Sequence, residues 1–122
     1  MAVKSRAGAG VVPLTLADEE FELVANAKAM LEVSTIIGGF GNAFDALRSV
    51  NVALLIQIIR IGLGRKNTPP NLDDLVFDTG VGPLLDPIGR YLLMLQNGGK
   101  SPDDEEEEVA QKPKGKATES AA

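Results

Sequence analysis

FELVANAKAMLEVSTIIGGFGNAFDALRSVNVALLIQIIRIGLG, residues 21–64, decides the fold. It reads as a strand end running into three helical segments separated by glycine and asparagine, with almost no chemically reactive side chain. Asn26 suits the N-cap of a helix over Ala27 to Ile37, because its side chain accepts a hydrogen bond from an amide left free in the first turn. The inward face expected of that helix is Ala27, Met30, Leu31, Ser34 and Ile37, and Gly38-Gly39 ends it. Asn42 is expected to cap a short helix, Ala43 to Arg48, and Asn51 to open the most hydrophobic one, Val52 to Leu63. On that last helix the small or polar residues Ala53, Gln57, Arg60 and Gly64 form one narrow stripe and the rest is aliphatic. It must be wrapped over most of its circumference, by its own domain or partly by another chain.

Upstream, Val11 to Leu16 and Phe21 to Val24 read as two strands of a hairpin around the polar turn Ala17-Asp18-Glu19-Glu20. A hairpin alone is marginal in water, so this one leans on the helices or pairs with a second chain. Pro13 lacks an amide donor and fits an edge. Downstream, Thr68-Pro69-Pro70 breaks the chain, and Asn71 with Asp73 and Asp74 supplies a cap and an acidic first turn for a helix over Leu72 to Phe77, closed by Gly80. The last helix starts near Pro83 or at Asp86-Pro87. Its stripe Leu84, Leu85, Ile88, Tyr91, Leu92 and Leu95 follows the 3.6-residue period, and Gly98-Gly99 ends it.

The expected fold class is therefore α+β and mostly α, a hairpin followed by a small bundle of four to five helices in one domain over residues 11–98. A flexible leader over 1–10 and a disordered tail over 99–122 flank it. Within the tail, Asp103 to Glu108 is an unbroken acidic run followed by alternating lysines. The run carries much of the net charge of -5, which disfavours nucleic acid as a partner. The leader holds Lys4 and Arg6 without the apolar core of a secretory signal, so export is not expected. Val52 to Leu63 is too short to span a bilayer.

The chain has no histidine, cysteine or tryptophan, which removes the usual base near neutral pH, the thiol nucleophile and the commonest transition-metal ligands. No cofactor and no metal site are expected. Phe77-Asp78-Thr79-Gly80 matches the loop of aspartic peptidases, in which two carboxylates share a proton and activate water. Those enzymes are all-β, whereas Asp78 here follows a helix and precedes a Pro-initiated one, so a helix exit is the preferred reading. Gly38-Gly39-Phe40-Gly41 has neither phosphate-loop spacing nor the lysine such a loop needs, and reads as a corner. Gly64-Arg65-Lys66 places positive charge where it offsets a helix dipole. The residues expected to serve packing or partner contact are Leu54, Leu55, Ile58 and Ile59.

Taken together, the hairpin ending in FELV, the segment ANAKAMLEVSTIIGGF, the aliphatic helix ending in IRIGLG and the segment NLDDLVFDTGVGPLLDPIGRYLLMLQ resemble a family of small phage proteins. These are the tail assembly chaperones of long, flexible-tailed phages (siphophages) and related gene transfer agents. The likeness covers Val11 to Gly98 and lies in order and spacing, with no catalytic signature. It implies a non-enzymatic viral protein of the host cytoplasm, absent from the mature virion, that binds the tape measure protein, keeps its helices soluble and recruits tail tube subunits. A homo-oligomer is expected, with neither nucleic acid nor membrane as a partner. The alternative function is a structural tail component, a tube or connector subunit, and the remote one is an aspartic peptidase acting through Asp78.

Overall fold

The computed structural model describes residues 10–100. Residues 1–9 of the expected leader and 101–122 of the expected tail lie outside the described residues. An antiparallel hairpin of β1 (Val11–Leu16) and β2 (Glu19–Val24) is followed by five helices. These are α1 (Ala27–Glu32, continued by a π-helical turn over Val33–Ile37), α2 (Phe40–Ser49), α3 (Val52–Leu63), α4 (Leu72–Thr79) and α5 (Gly82–Gln96). A single 3-10 turn, Arg65–Asn67, joins α3 to the loop before α4. The fold class expected from the sequence is the one observed.

The hairpin turn is tighter than expected. Ala17 and Asp18 alone form it, both at positive φ, and Glu19 and Glu20 belong to β2. Positive φ at both central positions gives the turn the twist that two strands need. Thr79 secures it from a distance: its hydroxyl accepts from the Ala17 amide at 2.7 Å and donates to the Leu75 carbonyl at 2.7 Å. β1 sends Val12, Leu14 and Leu16 into the core, while Pro13 faces outward opposite Glu22. Because the sheet has two strands, each is an edge.

Asn26 caps α1 as expected, accepting from the Ala29 amide at 2.8 Å. The inward face of this helix differs from the expected one. Ala29, Val33 and Ile37 are buried, whereas Ala27, Met30, Leu31 and Ser34 are exposed. Ala29 turned inward lets the helix lie close to its neighbours, and the wide π turn brings Ile37 back to the core after Val33. Thr35 sits on that turn and donates its hydroxyl to the Leu31 carbonyl at 3.2 Å, with Glu32 a weaker second acceptor at 3.4 Å.

Asn42 is not a cap. The second helix begins at Phe40 behind Gly39, so Asn42 lies inside its first turn and donates back to the last carbonyl of the π turn, Ile37, at 3.2 Å. A Cβ on Gly38 would stand 2.6 Å from that amide nitrogen, and Gly38 also sits at φ 95°, so the corner needs glycine twice over. Asn51 opens α3 as expected. Asn71 occupies the position before α4, although its side chain makes no cap bond, and the helix runs two residues further than expected, to Thr79. The last helix starts at Gly82, with Pro83 in its first turn and Pro87 carried inside.

The core gathers Leu16 and Leu23 from the hairpin, Ile58 and Ile59 from α3, Leu72 from α4, and Ile88, Tyr91 and Leu92 from α5. Two long-range hydrogen bonds set the direction of α5. Thr79, just before it, holds the hairpin turn, and the Tyr91 hydroxyl donates to the Val24 carbonyl at 2.7 Å, at the other end of the hairpin. The helix therefore runs from the hairpin turn toward the hairpin's open end, where α1 begins.

Candidate functional site

Among the described residues α3 and α1 define a surface with both depth and exposed apolar area. Of the four residues expected to serve packing or partner contact, Leu55, Ile58 and Ile59 are buried and Leu54 is half-buried. Within the chain they pack, and none offers a free surface. The stripe of Ala53, Gln57, Arg60 and Gly64 is the open side of α3, with Ala53 and Gln57 exposed and Arg60 and Gly64 partly so.

Along the C-terminal half of that side runs an open groove of about 660 Å³. Ile61, Gly62 and Leu63 form its floor. Val24, Lys28, Glu32 and Ile36 line it as well, together with Arg65 and the Thr68-Pro69-Pro70 loop. Gly62 is what brings the hairpin and α5 so close to α3. A Cβ there would meet Leu23 Cδ2 at 2.8 Å, Leu23 Cβ at 3.0 Å and Tyr91 Cζ at 3.2 Å.

Beside the groove, α1 carries its larger aliphatic side chains outward. Leu31 is 59 % exposed, Ile36 52 % and Met30 38 %, while Ala29 and Val33 face the core. Ile37 also faces the core, but the outward Leu31, Ile36 and Met30 leave apolar area available to another molecule. Sequence periodicity missed it because Leu31 and Met30 are the residues a pattern reading assigns to the interior.

The charge of the groove is positive on a net-acidic chain. Lys28, Arg60 and Arg65 line it against Glu32. Arg60 reaches Asp73 on α4 at 3.4 Å, an exposed pair that contributes less than about 1 kcal/mol. Lys28 and Arg65 make no ion pair among the described residues. Beneath the groove, burial foremost and then the negative charge of Glu32 push the Tyr91 phenol well above its ordinary value of 10.0.

Asp78 is exposed on the last turn of α4, and the adjoining Thr79 is engaged with Ala17 and Leu75. The Asp-Thr-Gly string is therefore a helix exit with a structural threonine. Among the described residues no group of three or more His, Cys, Asp or Glu is arranged to hold a metal ion, and no helix is long and apolar enough to cross a membrane. No family model, curated protein or solved structure matches the chain.

Proposed function

We propose that this chain is a tail assembly chaperone of a long-tailed phage or gene transfer agent, and that it holds helices of the tape measure protein against the outer face of α1 and the adjoining groove. The observation that carries the reading is the outward display of Leu31, Ile36 and Met30 on a helix that also buries Ala29, Val33 and Ile37. An amphipathic partner helix laid there covers apolar area that the fold leaves open, which is the usual physics of a helix held in a groove. The order of hairpin, capped helices and aliphatic α3 that resembles the chaperone family supports the same reading.

In this account the chain works in the cytoplasm of the bacterial host, self-associates, recruits tail tube subunits around the tape measure protein and leaves before the virion is complete. The test is capture of the tagged chain from cells assembling tails, read by mass spectrometry beside the composition of finished particles. Recovery of a long helical tape measure protein, with this chain missing from particles, is the expected result. Many copies of the chain in particles would overturn the chaperone reading in favour of a structural tail component.

A further inference from the structure

The groove is basic, and the same polypeptide carries an unbroken acidic run, Asp103 to Glu108. We propose that this run docks in cis in the groove, against Lys28, Arg60 and Arg65, and so competes with whatever the groove and α1 bind. The competitive meaning rests on the function proposed above, whereas the docking itself does not.

Two observations single out this occupant. The first is charge: Lys28 and Arg65 make no ion pair among the described residues, and of the acidic residues there only Glu32 lines the groove. Glu32 and the Asp73 partner of Arg60 supply two negative charges against the three positive charges of Lys28, Arg60 and Arg65, and the run brings six carboxylates to what remains.

The second is reach. The Tyr91 hydroxyl rests on the carbonyl of Val24, itself part of the groove, so α5 passes the groove five residues before its end at Gln96. Five helical residues advance about 7.5 Å. The four from Gln96 to Lys100 add at most about 14 Å, and the eight from Lys100 to Glu108 span up to about 28 Å. Even if α5 and the residues to Lys100 carry the chain straight away from Tyr91, the end of the acidic run, Glu107 and Glu108, is within reach of return, and any turn before Lys100 brings more of the run within reach.

Docking of this kind is screened by salt and gains from tethering, because a short linker gives an effective concentration on the order of 1 mM. A run whose untethered affinity is about 0.1 mM would then weaken a competitor on the order of 10-fold.

The probe is a synthetic peptide of residues 101–109, titrated into two full-length chains and followed by backbone amide NMR. One chain is wild type. The other is neutralised by Asp103→Asn, Asp104→Asn, Glu105→Gln, Glu106→Gln, Glu107→Gln and Glu108→Gln. The expected result is binding to the neutralised chain with shifts at Lys28, Glu32, Arg60 and Arg65, and binding to wild type on the order of 10-fold weaker. Adding Lys28→Glu and Arg65→Glu to the neutralised chain, at two exposed positions, should abolish binding while the rest of the spectrum persists.

Equal affinity for the two chains would overturn docking in cis, as would shifts confined to Arg48 or Arg90. A wild-type spectrum whose groove signals change on dilution would overturn it too, by placing the run on a second copy. Loss of tape measure capture alongside the expected peptide result removes the chaperone reading alone. Intact capture with equal peptide affinities removes the tail docking alone.

Discussion

Gly62→Ala and Gly89→Ala should change stability in opposite directions although both place a methyl group on a helix. At Gly62 the new Cβ would lie 2.8 Å from Leu23 Cδ2, 3.0 Å from Leu23 Cβ and 3.2 Å from Tyr91 Cζ. The Leu23 methyl is the end of a flexible side chain, but its Cβ moves only with the backbone of β2, and Leu23 and Tyr91 are fully buried. Overpacking of this kind costs about 1–3 kcal/mol. The helix-propensity gain of at most about 1 kcal/mol is reduced because Gly62 is the penultimate residue of α3. The net expectation is a loss of about 1–2 kcal/mol. At Gly89, within α5, the nearest atom is Leu47 Cδ1 at 3.6 Å, an ordinary contact. There the propensity gain stands nearly alone, and about 0.5–1 kcal/mol of added stability is expected. Urea denaturation followed by far-UV circular dichroism, with an unchanged m-value in both variants, measures the two differences. A Gly62→Ala protein as stable as wild type, or a less stable Gly89→Ala protein, would refute the packing argument made for α3.

Three further outcomes are expected. Ile58→Asp puts a carboxylate at a fully buried position with no cation within the core, so the chain should fail to fold, as read by loss of the cooperative urea transition. Leu31→Ser with Ile36→Ser should keep a cooperative urea transition while lowering the unfolding free energy by about 1–2 kcal/mol, the covered half of the two side chains being lost from the fold. The same pair should weaken tape measure capture by about 2 kcal/mol, since each half-exposed side chain has roughly 1 kcal/mol of burial left to contribute. Tyr91→Phe loses the hydrogen bond to Val24 and about 1 kcal/mol at neutral pH. Because the folded-state pKa is raised, the phenol's contribution is fully present below its unfolded value of 10.0 and is lost as pH rises toward the folded value. The stability gap between wild type and Tyr91→Phe should therefore shrink, and then reverse, between denaturation series at pH 8 and pH 11.

Much of the fold was legible because local chemistry writes element ends into the chain. Asn26 and Asn51 cap α1 and α3, and Gly38, Gly64 and Gly80 take the positive φ that ends three helices. The stripe of α5 was legible for a different reason: a helix of 15 residues repeats its period often enough to fix its face. The face of α1 was not, because a π turn breaks the 3.6-residue phase and apolar side chains occur on both faces, Val33 and Ile37 inward and Leu31 and Ile36 outward. Asn42 misled because an asparagine after glycines resembles a cap, whereas its partner is a carbonyl of the preceding helix. The groove was out of reach of any local pattern. It depends on Val24, Ile36, Gly62 and the Thr68-Pro69-Pro70 loop meeting in space. The Leu54, Leu55, Ile58 and Ile59 set reads as aliphatic, but hydrophobicity alone does not distinguish a core from a docking face.

The phenol that ties α5 to the hairpin also gives the protein a built-in optical gauge. Tyr91 is the single tyrosine and no tryptophan masks its emission. Its ring lies against Gly62 under the groove floor, and its hydroxyl is held by Val24 on the groove wall. Movement of the hairpin away from α3 would wet the ring and free the hydroxyl together, changing both quantum yield and lifetime. Time-resolved emission of the unlabelled wild-type chain therefore reports, residue-specifically, whether partner loading leaves that junction closed.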